Sequence, residues 1–152
     1  MKIAYGNMWS VFTSVDLFCI TTNSIIRKDG ELVMGRGIAQ QARNKFPGLG
    51  LALGTAISEA GMNSKIYGLL LSPNWPVKKL AAFQVKVNWQ AKADLDIVKE
   101  SAKALGHWAK TNPDKTIALN FPGIGNGRLD YDDVLEIVKH LPDNVTLWKF
   151  AK

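Results

Sequence analysis

The sequence predicts an α/β domain with a central mixed sheet and helices on both faces, a three-layer α/β/α arrangement. Two observations carry this. Short apolar runs of β-type alternate along the chain with stretches of helical periodicity. Two glycine loops, Met34-Gly35-Arg36-Gly37-Ile38-Ala39 and Pro122-Gly123-Ile124-Gly125-Asn126-Gly127, follow strand-like runs and stand near helix starts. Strands alternating with helices build layers around one sheet. The 152 residues suffice to bury a core, and we read 1–152 as one domain.

The β-type runs are Lys2–Tyr5, Asp16–Thr22, Lys65–Ser72, Leu80–Val87, Thr116–Phe121 and Asn144–Phe150. The first helix spans Gly37–Phe46, with Ile38, Ala42 and Phe46 at helical spacing. A second covers Leu51–Ala60 and stops at Gly61. The third, Asp94–Lys110, opens on a capping Asp94 and gathers Ile97, Val98, Ala102, Leu105, Trp108 and Ala109 on one side. The fourth, Tyr131–Leu141, has Tyr131, Val134, Leu135, Val138 and Leu141 on one face. Asp130, Asp132 and Asp133 stand at its start, where acids suit the helix dipole.

Composition narrows the function classes. Hydrophobic residues make up 47% and charged residues 21%, as in soluble globular domains. No apolar run is long enough to span a membrane. The N-terminus reads as a strand rather than a secretion signal. The only cysteine, Cys19, sits in an apolar run, which excludes an internal disulfide and fits a reducing cytoplasm. The net charge of +6 favours nucleotides or nucleic acid, or simply gives a solvated basic surface. No recognition-helix or zinc-finger pattern accompanies it.

Several motifs are absent. There is no GxxxxGK[ST] loop and no GxSxG elbow. Gly123-Ile124-Gly125-Asn126-Gly127-Arg128 approaches a dinucleotide fingerprint, but Arg128 takes the last glycine position and no partner acid follows about 20 residues on. His107 and His140 have no metal-ligand spacing to each other or to Cys19.

What remains points to an anion. Glycine lets backbone approach a ligand closely, and free amides at a helix start attract phosphate. Each loop alone reads equally as an ordinary turn; together they suggest a diphosphate clamp. In such sheets the crevice lies beyond the carboxyl ends of the strands. Lys86, at the end of Leu80–Val87, falls there as an exposed strand-end cation, a phosphate contact, or, if deprotonated, a nucleophile towards a sugar carbon. Asn23 closes another strand, either as a turn residue or as an amide for sugar hydroxyls. Of Trp9, Trp75, Trp89, Trp108 and Trp148, Trp108 reads as core; Trp89 and Trp148 read as core or as stacking surfaces for a base.

Three blocks resemble a known family. They are Thr21-Thr22-Asn23 leading, after a long connection, to Met34–Ala39; Phe83–Trp89 running into Lys92-Ala93-Asp94-Leu95; and Pro122–Tyr131. In this order they are similar to the macrodomains, ADP-ribose-binding α/β/α modules. The nearest subgroup is the antitoxin type that removes ADP-ribose from thymidine in DNA, found in bacteria and phages; the human terminal ADP-ribose glycohydrolase is more distant.

The resemblance implies a pocket for ADP-ribose or an ADP-ribosylated substrate, ADP-ribosylated DNA among them. Asn23 would contact the distal ribose beside Thr22. Met34, Gly35, Arg36, Gly37, Ile38 and Ala39 would grip the diphosphate and ribose, with Pro122, Gly123, Ile124, Gly125, Asn126 and Gly127 opposite. Adenine would lie near Asn7, Met8 and Trp148. In that subgroup a lysine at the position of Lys86 carries hydrolysis, with a lysine–sugar adduct proposed. Lowering its pKa calls for a partly dry pocket and cationic neighbours, for which Lys78, Lys79 and Arg128 are candidates. No metal, cofactor or membrane is implied, and a monomer is expected.

The chain departs from the family pattern at Asn7, where aspartate is common, at Val87, at Ile124 and at Arg128. The catalytic aspartate of the human relative has no counterpart; Asp130 is the nearest acid. The expected function is hydrolysis of ADP-ribosyl conjugates through Lys86, on thymidine in DNA or on protein carboxylates. The alternatives are a non-catalytic ADP-ribose-binding module and a phosphatase for ADP-ribose 1″-phosphate.

Overall fold

The computed structural model describes residues 1–71 and 79–150. Six strands form one sheet: β1 (Lys2–Tyr5), β2 (Leu17–Thr22), β3 (Leu69–Leu71), β4 (Leu80–Gln84), β5 (Ile117–Asn120) and β6 (Val145–Lys149). Their spatial order is β1-β6-β5-β2-β4-β3. All pairings are parallel except β3 with β4. The helices are α1 (Gly37–Lys45), α2 (Leu49–Glu59), α3 (Leu95–Thr111) and α4 (Tyr131–Val138).

Alternation along β2 shows why the sheet needs two covers. Leu17 and Cys19 enter a core with residues of α3 and α4, whereas Phe18 and Ile20 enter a second core with residues of α1 and α2. All three layers of the expected α/β/α arrangement are present. Strands β2 and β4 are covered on both faces and read as nearly continuous apolar runs, as parallel strands do. The buried Cys19 thiol is pushed well above its ordinary pKa by desolvation and behaves as a small hydrophobe. No helix of the described residues is long and apolar enough to cross a membrane.

Three elements are shorter than expected by three residues or more. The run from Lys65 yields a strand only from Leu69, because the Gln84 Oε1 accepts the amides of Tyr67 and Gly68 at 2.7 and 3.0 Å. Ser72, like Trp75 and Lys78, lies outside the described residues. Strand β4 ends at Gln84, so Lys86 stands two residues past the strand rather than on it. Helix α4 stops at Val138, three residues short of Leu141. Asp94 and Asp130 cap α3 and α4, the latter accepting the amides of Asp132 and Asp133 at 2.9 and 3.4 Å.

The long connection between β2 and α1 lies against α2. A Cβ on Gly54 would stand 2.0 Å from the Gly30 carbonyl oxygen, so only glycine allows this approach. The connection therefore enters the first glycine loop from a fixed base. His107 and His140 line a surface cleft between α3 and α4, and no metal-ligating cluster occurs among the described residues.

Candidate functional site

The carboxyl ends of β2, β4 and β5 open onto a cavity of about 400 Å³. The end of β2 contributes Thr21, Thr22 and Asn23. The first loop contributes Val33, Met34, Gly35 and Arg36, and the start of α1 contributes Gly37, Ile38 and Ala39. Val85, Lys86 and Trp89 come from the segment after β4. Asn120, Gly123, Ile124, Asn126 and Gly127 close the opposite wall. An adjoining cavity of about 720 Å³ is lined by Asn7, Met8, Trp9, Gly125, Trp148 and their neighbours. Gly37, Ile38, Asn120, Ile124 and Asn126 border both cavities, which makes one groove with a waist. Pro122 is buried behind the second loop and lines neither cavity.

The waist is where the two glycine loops meet. A Cβ on Gly37 would stand 3.3 Å from Asn126 Nδ2. Gly37 has φ +56°, and no side chain caps α1. The first-turn amides therefore have no intrahelical acceptor and face the groove at the positive end of the helix dipole. The second loop is tight: Leu129 N donates to the Gly123 carbonyl at 2.9 Å. Gly123 has φ +76°, and a Cβ on Gly127 would stand 2.9 Å from Ala93 Cβ.

Asn23 is 7% exposed and its amide is committed to the backbone. Its Nδ2 donates to the Val33 carbonyl at 3.0 Å and its Oδ1 accepts the Ile25 amide at 2.9 Å. One N–H and one lone pair remain for a ligand. The Thr22 hydroxyl is hydrogen-bonded to the Tyr67 hydroxyl, which also donates to the Asn23 carbonyl at 2.8 Å. Asn7 spends its Oδ1 on the Trp9 amide at 3.0 Å, capping the 3-10 turn Met8–Val11.

Lys86 is half-buried on the wall of the smaller cavity. Its Nζ donates to the Ala91 carbonyl at 3.2 Å. Burial pulls its pKa below the ordinary lysine value, and the Arg128 and Arg36 guanidiniums add to this. Of the cations expected to do so, Arg128 is in place. Lys79 is not: its Nζ donates to the carbonyls of Phe12 and Val15, 2.7 and 2.9 Å away. Arg36, at the first loop, supplies the second charge; its guanidinium lies 5.7 Å from the centre of the Trp89 ring. Arg128 also donates to the Gln90 carbonyl at 3.4 Å. No carboxylate of the described residues lines either cavity, and Asp130 is occupied as the α4 cap.

Sequence reasoning missed Asn120, Gln41, Lys45 and Lys149. Asn120 Oδ1 accepts the Thr21 amide at 3.1 Å and its Nδ2 donates to Thr21 Oγ1 at 2.8 Å, which ties β5 to β2 at the groove floor. The signal was present: an amide side chain ends an apolar run just before the second loop. Gln41 Oε1 accepts Trp9 Nε1 at 2.7 Å, so Trp9 is part of the larger cavity's wall.

Neither protein-family models nor curated proteins match the chain. Solved structures do. The macrodomain of Thermus aquaticus DarG superposes with a TM-score of 0.72 at 23% identity, covering 99% of this chain and 97% of that one. The macrodomain of Mycobacterium tuberculosis DarG gives 0.70 at 24% identity, covering 96% of each chain. Thermosipho africanus DarTG, a structure in complex with ADP-ribose, gives 0.72 at 18% identity over 97% of this chain and 41% of that one. With the six-stranded mixed sheet, its two helical layers and the groove at its carboxyl end, these similarities place the chain in the macrodomain fold.

Proposed function

We propose that the groove binds ADP-ribose and that the protein releases ADP-ribose from ADP-ribosyl conjugates by hydrolysis, with Lys86 acting at the anomeric carbon. The observation that carries this is the state of Lys86: a half-buried amine flanked by two guanidiniums, in a cavity that no carboxylate of the described residues lines. A carboxylate-based acid–base pair has no members there, and an amine with a lowered pKa is the activated nucleophile at hand. The ADP-ribose bound to Thermosipho africanus DarTG supports the choice of ligand.

In this reading the amides of the two loops hold the diphosphate and the remaining polar positions of Asn23 orient the distal ribose. The neutral Lys86 amine attacks the anomeric carbon, and the bond to the leaving group breaks with its electron pair. The leaving group takes up a proton. Water then displaces the lysine, so that conjugate and water become ADP-ribose and the protonated leaving group. Placement and preorganised dipoles supply most of the rate. The leaving group is thymidine in DNA or a protein carboxylate.

The test is a panel of ADP-ribosylated DNA and protein substrates with wild type and Lys86→Ala. The expected result is a loss of turnover of about 100-fold or more, with ADP-ribose affinity held within a few fold by calorimetry. Unchanged turnover removes Lys86 from the chemistry. Tight ADP-ribose binding without turnover on any substrate makes the protein a binding module instead. Release of phosphate from ADP-ribose 1″-phosphate that survives the substitution makes it a phosphatase.

A further inference from the structure

The larger cavity carries two ammonium groups that a diphosphate at the loops leaves unused. Lys45 Nζ lies 5.0 Å from the centre of the Trp9 ring and Lys149 Nζ lies 4.1 Å from that of Tyr131. Both lysines line the larger cavity and neither borders the smaller one. Among the described residues neither is paired with a carboxylate, and no carboxylate lines the groove to offset them. Trp9 lines the larger cavity and its face holds the Lys45 ammonium there, while the Tyr131 face fixes the Lys149 ammonium on the α4 side of the same cavity's border.

Charge and wall chemistry divide the groove between them. The helix-start amides of α1 and Arg36 border the smaller cavity and offer donors to a diphosphate at the waist. Among the walls of the larger cavity, Trp148 and the exposed Phe150 offer a stacking surface for a base, while Phe121 lies buried against Tyr131. A nucleoside there would be uncharged and would leave both lysines of this cavity of about 720 Å³ without an anionic partner. They also approach from different layers: Lys45 ends α1, while Lys149 follows Val145 and Leu147 on the β6 face turned towards α4.

We infer that the groove is built for an adenosine nucleotide bearing a further phosphate monoester on its ribose, attracted by Lys45 and Lys149. This rests on the nucleotide reading of the groove and extends it to the ligand's class.

The probes are AMP, adenosine 2′,5′-bisphosphate and adenosine 3′,5′-bisphosphate, which share base and 5′-phosphate and differ by the extra phosphate. Calorimetry on the full chain should give at least one bisphosphate an affinity about ten-fold above AMP at low salt. That ratio should shrink towards 0.1 M salt, where the screening length is about 10 Å. The double variant Lys45→Met/Lys149→Met should bring the ratio near one, and Lys45→Arg/Lys149→Arg should keep it. A ratio near one in wild type overturns the inference, as does a ratio that survives the methionine pair. ADP-ribose is titrated alongside: if it binds while the ratio is one, only this inference fails, and if it does not bind, the reading beneath it fails too.

Discussion

The Lys86 ammonium hydrogen-bonds to the Ala91 carbonyl five residues on, at 3.2 Å. The contact folds the segment after β4 back on itself and leaves the amine on the cavity wall. Arg128 and Arg36 approach the same segment, at Gln90 and Trp89. The three cations are thus brought together by one short stretch of chain and two loops, and their repulsion is part of what makes the amine available.

The first prediction is a pH profile. In the proposed reaction the neutral amine is the reactive form, so turnover should rise with pH through the Lys86 pKa, which lies below the ordinary lysine value. Arg36→Gln removes a cation that favours the neutral form. The rising limb should therefore move to higher pH, as a pH–kcat series will show. Folding carries the same sign. Between the lowered folded pKa and the ordinary value near 10.4 the unfolded chain binds more protons, so this group's contribution to stability rises with pH in that window. An unshifted limb in Arg36→Gln would separate the amine's titration from the reaction.

The second prediction concerns the loop rather than the chemistry. In Gly127→Ala the new methyl stands 2.9 Å from Ala93 Cβ, and the Ala93 amide donates to the Gly127 carbonyl at 2.9 Å. The loop and the start of α3 must part. Overpacking of this kind costs about 1–3 kcal/mol. Thermal melting should register it, and ADP-ribose affinity should fall with it, because the loop forms one wall of the waist. Full affinity in this variant would take the second loop out of the binding site.

Much of the site was legible because it depends on local backbone chemistry. Glycine clusters mark φ > 0 turns and helix starts, and both loops were found that way; the second follows β5 as expected, whereas the first opens α1 at the end of the long connection from β2 rather than directly after a strand. Asp94 and Asp130 were legible as caps for the same reason. What depends on long-range placement was not. Lys79 and Arg128 are both basic residues at surface-like positions, and only the fold sends one to the far end of β4 and the other to Lys86. Gln84 reads as a strand residue of ordinary polarity. In the fold it is fully buried and satisfies the amides that would otherwise have lengthened β3. Asn120 pairs with a residue 99 positions away.

The third prediction separates Asp130 from catalysis. Its Oδ1 accepts the Asp132 and Asp133 amides and it lines neither cavity. Asp130→Ala should lower stability by about 1 kcal/mol, the usual cost of a lost N-cap, while kcat stays within two- to three-fold. A fall of 100-fold or so, of the size general acids supply, would make Asp130 an acid in the reaction.

The fourth prediction sets stability against function at one residue. Arg128 ends the 3-10 turn Gly125–Gly127 with φ +61°, ψ +19°, a left-handed conformation that side chains other than glycine adopt at a cost of about 1–2 kcal/mol. Glycine adopts it freely but loses more entropy on folding, about 0.5–1 kcal/mol. Arg128→Gly should therefore be neutral or stabilise by up to about 1 kcal/mol in thermal melts. The same change removes the charged group that does most, after burial, to lower the Lys86 pKa. Its pH–kcat limb should shift to higher pH, so that the variant is slower than wild type at neutral pH and approaches it in alkaline buffer. A variant that gains stability without that shift would show that Arg128 is kept for some purpose other than the amine. One that loses both stability and activity at every pH would show that its contact with Gln90 holds the segment carrying Lys86.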